Sequence, residues 1–180
     1  MAERTKLWIA DRMKDLMSRK SIDKIHITEI CREAEIERST FYYHFQDKYD
    51  LVAWIFFQST HKTDLLDVQS AAEDLRRMKK DIRFYKHAYE DTSQNALWPY
   101  MLKYFTDKYT ELAREKANTE DLDEQTLFSI RLYCYGAVGM AKEWILQDSV
   151  TPAETIIRMM FRSMSEQLYQ LYFMTDESGQ

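Results

Sequence analysis

Helix breakers are almost missing from this chain: three glycines and two prolines are spread over 180 residues in which Leu, Met, Lys, Glu, Arg and Ala are plentiful. A sheet protein needs turn formers at short intervals, so a sequence this poor in them is expected to be all-α. The length allows one compact unit, or a small domain joined to a medium one, with a core that needs no disulfide or structural metal. Cys31 and Cys134 sit far apart in apolar helical patterns, without metal-ligand spacing around either. No run of 18 apolar residues occurs and the chain opens on mixed charges, so a cytoplasmic protein with no membrane partner is expected.

Apolar residues recurring at three and four positions mark the helices. Trp8, Ile9, Met13, Leu16 and Met17 share one face of a first helix over about residues 3–17, and residues 18–24 read as a turn. Thr28 is expected to cap a short second helix that buries Ile30, Cys31 and Ala34. A third helix covers residues 38–44, and Asp47, with Asp50 three positions later, caps a fourth. Ser70-Ala71-Ala72-Glu73 forms a capping box that opens a helix toward Tyr89, and Pro99 starts another that runs to about residue 116. The polar stretch 118–123 precedes a long helix to about residue 147. Thr151-Pro152-Ala153-Glu154 joins a capping box to a first-turn proline and opens a helix expected to continue to about residue 174.

Residues 28–51, TEICREAEIERSTFYYHFQDKYDL, therefore encode two short helices with a tight turn between them and a capped longer helix behind, a helix-turn-helix layout. At 100° per residue, Phe41 and Phe45 fall on one side of the third helix and Ser39, Thr40 and Tyr43 on the other, with Tyr42 and His44 on the flanks. Aromatic residues at helical spacing are usually core. Tyr42 and Tyr43 are adjacent, however, and cannot both be buried on one narrow face. Seven residues make a helix of roughly 10 Å, comparable with the width of the DNA major groove. The net charge of −5 at first argues against a nucleic-acid partner, but residues 1–60 carry ten Lys and Arg against ten Asp and Glu, so the acidic excess lies in residues 61–180. A DNA contact must lie in the first third.

The run STFYYHFQDKYDL resembles the recognition-helix segment of TetR-type (TetR/AcrR) transcription regulators. The Thr-x-x-Ile-Cys-x-x-Ala run and the apolar pattern of the first helix extend the likeness over about residues 5–57. The resemblance implies a helix-turn-helix DNA-binding domain over residues 1–47 and a helical effector-sensing and dimerisation domain over 48–180. It implies that a homodimer binds double-stranded operator DNA with its two recognition helices about 34–36 Å apart. Ser39, Thr40 and Tyr43 would face bases, Tyr42, His44 and Lys48 would contact phosphate, Thr28 would offer a further phosphate contact at the second helix's N-terminus, and Arg38 would join them. Two positions depart from the family pattern. Glu35 stands where the turn usually has Gly, and Glu37 where a Ser cap is common, which points to weaker DNA binding or to dependence on a partner protein. A narrower resemblance, carried by HFQDKYDLVAWIF and YCYGAVGMAKEWI, is to the subgroup of dihydroxyacetone kinase operon regulators. It implies activation together with a second, kinase-like protein.

In the remaining chain, Ile157, Met160, Met164, Leu168 and Leu171 repeat at three and four, a seam suited to a partner helix. Gly136, Ala137, Gly139 and Ala141 permit close approach in the helix before it, so Gly136, Met140 and Trp144 are expected to share the dimer interface with Ile157, Met160, Met164 and Leu168. Tyr89, Trp98, Tyr104 and Tyr133 are expected to line an apolar effector pocket if the chain senses a small molecule, and to pack on one another if a partner protein controls it. Enzyme readings find little support: the histidines are isolated, His87-x-x-Glu90 is a lone pair, and neither a Gly-rich phosphate loop nor a nucleophile motif occurs. Neither metal nor cofactor is expected. The rival reading is a helical adaptor that keeps this fold, binds DNA weakly and acts through a partner protein. It gives no reason for the outward polar and aromatic side chains of the third helix.

Overall fold

The computed structural model describes residues 2–60, 63–90, 97–147 and 150–174, with Ser59 in backbone only. Among them every regular element is helical, as expected. They are α1 (Ala2–Met17), a 3-10 turn (Ile22–Lys24), α2 (Ile27–Glu33), α3 (Arg38–His44), α4 (Lys48–Thr60), α5 (Val68–Lys80), α6 (Ile82–Glu90), α7 (Leu97–Ala117), α8 (Glu124–Leu146), α9 (Ala153–Arg162) and α10 (Glu166–Phe173). The chain forms two compact units, Met1–Lys62 with Arg77–Leu97, and Thr63–Arg76 with Trp98–Gln180. The unit carrying the helix-turn-helix thus extends beyond residues 1–47. Trp54 of α4 packs edge-on against Phe45 at 5.6 Å, and α6 lies against α1, where Lys14 pairs with Asp81 at 2.7 Å.

In the first unit, Ile9, Met13, Met17, Ile22, Ile25, Ile30, Phe41 and Leu51 are fully buried. Trp8, expected on the same face of α1, is instead 46% exposed. It sits one position before Ile9, about 100° round the helix, and its indole N–H donates to the Ala34 carbonyl at 2.9 Å. The expected Thr28 cap is also displaced: His26 is the N-cap of α2, its carbonyl accepting from the amides of Glu29 (2.9 Å) and Ile30 (3.2 Å), and Thr28 lies exposed inside the first turn. Burial of Ile25 and Ile30 on either side of the boundary starts the helix before a hydroxyl can cap it. α2 ends in a Schellman motif, in which Ile36 N–H donates to the Cys31 carbonyl (3.0 Å) and Glu35 N–H to the Arg32 carbonyl (3.2 Å), with Glu35 left-handed at φ 52°. Asp47 caps α4 as expected, accepting from Tyr49 and Asp50 N–H at 2.8 Å each, while Asp50 reaches back to Gln46 N–H at 2.9 Å.

The helix starts of the second unit are shifted from expectation. Asp67, not Ser70, caps α5, its carboxylate accepting from Ser70 N–H at 2.6 Å, and the Ser70 hydroxyl accepts instead from Asp64 N–H at 2.9 Å. The helix expected to reach Tyr89 breaks at Asp81, between α5 and α6, at the residue that Lys14 holds. Between α7 and α8, Asn118 is left-handed at φ 50° and Asp123 accepts from Thr126 N–H at 2.9 Å. Thr151 does not cap α9. Pro152 occupies the N-cap, and the Thr151 carbonyl accepts from the Trp144 indole at 2.7 Å. The single helix expected over 153–174 is two, because the Ser163 hydroxyl bonds back to the Met159 carbonyl (2.8 Å) and Ser165 caps α10 by accepting from Leu168 N–H (3.3 Å).

The second unit's core holds Ala113, Ile130, Cys134 and Leu168 together with a tyrosine cluster. Tyr109 meets Tyr133 edge-on at 5.3 Å and tilts against Tyr172 at 5.6 Å. Its hydroxyl donates to the Leu65 carbonyl at 3.1 Å, and the Tyr172 hydroxyl donates to the Tyr109 carbonyl at 2.8 Å. Burial pushes these phenols above their ordinary range and the Cys134 thiol up to about 12, so all stay neutral at physiological pH. Tyr172→Phe keeps the ring and removes the donor, and is expected to destabilise the chain by about 1 kcal/mol. Thermal unfolding checks this: Tm should fall by roughly 3 °C, and an unchanged Tm would show that the hydroxyl contributes nothing beyond its ring.

Candidate nucleic-acid interface

Two buried rings hold α3. Phe41 and Phe45, four residues apart, have centroids 5.9 Å apart, and both are buried in the first unit. The Lys6 ammonium lies over Phe45 at 5.6 Å and over Trp54 at 5.7 Å, covering the exposed edge of that stack. The opposite face is open: Tyr43 is 79% exposed, Arg38, Ser39 and Tyr42 are exposed, and Thr40 and His44 are half-buried. The Arg38 guanidinium lies over the Tyr42 ring at 5.8 Å and donates to its hydroxyl at 3.4 Å. Tyr43 meets His44 edge-on at 4.9 Å. Six of the eight residues expected at DNA thus lie on one seven-residue helix, with aromatic and hydroxyl groups outward.

The other two are placed differently. Thr28 stands exposed in the first turn of α2, beside Glu29, whose two carboxylate oxygens accept from Lys20 at 2.7 and 2.8 Å. That hydrogen bond holds the Glu29 carboxyl below its ordinary range. Lys48, expected at phosphate, points its ammonium at the end of the 3-10 turn, donating to the carbonyls of Ile22 (2.8 Å) and Ile25 (3.0 Å), with Asp23 at 3.5 Å. It thereby ties the first turn of α4 to the segment before α2. Glu37 is the N-cap of α3 but makes no side-chain cap bond, and Glu33, Glu35 and Glu37 are all exposed around the α2–α3 turn.

The expected effector residues fall in two different units. Tyr89 is buried in the first unit, whereas Trp98, Tyr104 and Tyr133 belong to the second. There Trp98 lines an open groove with Leu102, Arg131 and Tyr135, Tyr133 lines a different groove between α8 and α9, and Tyr104 meets Phe105 edge-on at 5.3 Å. Of the expected interface residues, Trp144, Ile157, Met160, Met164 and Leu168 are buried within the chain itself, while Gly136 and Met140 are exposed on α8. Sequence reasoning missed Lys6 and Arg12 and read Trp8 only as part of the core face. The Trp8–Arg12 spacing of four was the available signal; nothing in the sequence linked Lys6 to Phe45. Among the described residues, no helix is long and apolar enough to cross a membrane.

The model of the bacterial regulatory proteins of the tetR family matches residues 9–55, and that of a TetR-type transcriptional regulator C-terminal region matches residues 71–166. The chain belongs to the TetR family of transcriptional regulators. Over 48 residues it is 42% identical to the HTH-type dhaKLM operon transcriptional activator DhaS of Lactococcus lactis subsp. lactis (strain IL1403), a stretch that is 27% of this chain and 26% of that protein. Among solved structures, the dihydroxyacetone kinase operon activator DhaS matches 91% of this chain and 96% of its own, at a TM-score of 0.61 and 21% identity. A tetR-family transcriptional regulator from Streptomyces coelicolor matches 99% and 90%, at 0.58 and 15%. NalD, the secondary repressor of the MexAB-OprM multidrug efflux pump in Pseudomonas aeruginosa, matches 91% and 98%, at 0.57 and 17%. These last three are likenesses of fold.

The geometry at Lys48 sets a test without DNA. Lys48→Met keeps most of the stem but leaves the carbonyls of Ile22 and Ile25 without their charged donor, and should destabilise the protein by about 2 kcal/mol. Urea unfolding of the free protein measures this. A lysine that served only phosphate would show no change.

Proposed function

We propose that this TetR-family regulator binds operator DNA as a homodimer through the outward face of α3, under the control of a partner protein. The observation that carries DNA binding is the contrast across α3, where Phe41 and Phe45 are buried while Tyr43, Ser39 and Arg38 are exposed. A helix this short with so polar an outer face fits the major groove, where hydroxyls and aromatic edges meet base edges and thymine methyl groups. Arg38, Tyr42 and His44 flank that face and suit phosphate oxygens. Thr28 offers its hydroxyl to a further phosphate, and Lys48 reaches one only by giving up its carbonyls.

Dimerisation is assigned to the exposed apolar face of α8. Phe128 and Leu132 are 62% and 63% exposed, and Tyr135 and Met140 continue the row. Beside it, Leu132, Gly136, Met140 and Met159 border a groove of about 320 Å³. Gly136 leaves open space where a Cβ would stand, which lets a second helix come close. A row of apolar side chains this exposed is costly in a monomer.

Control by a partner is favoured by the packing of Tyr133 on Tyr109, and of Tyr109 on Tyr172, which commits these rings to the core of the second unit. The exposed carboxylates Glu33, Glu35 and Glu37 also weaken attraction to DNA, so a partner that reinforces binding has a role to play. A metabolite that raised the Tm of the purified protein would favour small-molecule control instead.

Mobility shift with the DNA upstream of its own gene tests the assignment of α3. Tyr43→Ala should relax sequence preference by about 1–3 kcal/mol at an unchanged salt slope, and binding identical to the parent on every sequence removes Tyr43 from base readout. For the dimer, Leu132→Glu should give a folded monomer by light scattering, because a carboxylate would be buried in the interface. A folded Leu132→Glu dimer places the interface elsewhere.

A further inference from the structure

The direction of α3 depends on a backbone conformation that its residue disfavours. Glu35, between α2 and α3, is the only left-handed non-glycine residue among the described residues of the first unit, at φ 52°. For an L-residue with a Cβ this region is less populated than the right-handed one by roughly tenfold. Were Glu35 to relax, everything after it would turn with it, and Arg38–His44 would leave their present direction. The Schellman motif occupies the carbonyls of Cys31 and Arg32, but not that of Ala34, which immediately precedes Glu35.

That carbonyl is held from 26 positions away. The Trp8 indole Nε1–H donates to the Ala34 carbonyl at 2.9 Å, and Ala34 is only 2% exposed, so water is a poor substitute donor. Trp8 is itself fixed. Its neighbours Ile9 and Ala10 are buried in the core, and the Arg12 guanidinium covers its ring at 4.5 Å while pairing with Asp15 at 3.3 Å. Core packing does not account for the residue, since almost half its surface remains in solvent. Its hydrogen bond acts on the one peptide whose orientation the left-handed residue must keep.

We propose that Trp8 is a positioning residue for the recognition helix: through the Ala34 carbonyl it latches the left-handed turn at Glu35 and so holds α3 in the direction that meets DNA. The proposal rests on the reading of α3 as the DNA-contacting helix. It assigns to Trp8 no contact with DNA. In the latched turn the binding-competent fraction is high; without the latch it falls, and apparent affinity falls in proportion.

Four proteins test it: the parent, Trp8→Phe, Glu35→Gly and the double variant, each checked for native helicity by circular dichroism. Affinity is measured for a labelled duplex from the region upstream of its own gene, over a range of salt. Trp8→Phe keeps an aromatic ring and loses the donor, and should weaken binding by up to about fivefold, the equivalent of one net hydrogen bond. The salt slope should not change, since no phosphate contact is lost. Glycine adopts φ 52° without penalty, so in the Glu35→Gly background the same substitution should change affinity less than about twofold. Equal losses in both backgrounds, or no loss in either, overturn the latch. If the parent binds no upstream duplex, the DNA reading fails by itself, and the same cycle read as Tm decides the latch: a larger fall on Trp8→Phe in the Glu35 background supports it, and an equal fall overturns it.

Discussion

A helix of seven residues does not hold itself together in water, because its nucleation cost is spread over too few hydrogen bonds. α3 exists because Phe41 and Phe45 are buried in the first unit, and much else in that unit follows from this burial. Trp54 brings α4 against Phe45, Lys6 of α1 covers both rings, and Lys48 ties the start of α4 to the segment ahead of α2. Since the inner face carries the stability, the outer face is free to present tyrosines, hydroxyls and an arginine.

Charge is distributed less simply than the linear sequence suggests. Residues 1–60 balance to zero, yet the compact unit that contains them also includes 77–97, a stretch with five basic residues, Arg77, Lys79, Lys80, Arg83 and Lys86, and three acidic ones, Asp81, Glu90 and Asp91. The folded unit is therefore more positive than its N-terminal segment. Around α3 itself the balance is different: exposed carboxylates ring the α2–α3 turn and the Lys48 ammonium is engaged with carbonyls. The face of α3 therefore presents few free cations.

In the second unit the aromatic residues form structure. Tyr109, Tyr133 and Tyr172 share a cluster in which the Tyr109 and Tyr172 hydroxyls reach backbone carbonyls, and the seam of Ile157, Met160, Met164 and Leu168 turns inward. Exposed apolar side chains form a row on α8 from Phe128 to Met140. A repeat of three and four marks a helix face as apolar, but it carries no sign of whether its own chain or another covers that face.

The all-helical class, the helix-turn-helix, the inward Phe41 and Phe45, the outward Tyr43 and the Asp47 cap were legible in the residues alone, because each depends on periodicity or on hydrogen bonds a few positions away. Helix ends were less legible. Competing caps such as Asp67 against Ser70 differ little in energy, and the breaks at Asp81 and at Ser163–Ser165 carry neither glycine nor proline. The long-range bonds were not legible at all. Whether the Lys48 ammonium meets phosphate or the carbonyls of Ile22 and Ile25, and whether Trp8 enters the core or donates to Ala34, is decided by which groups the folded chain brings within about 3 Å, the range where a hydrogen bond gains its strength.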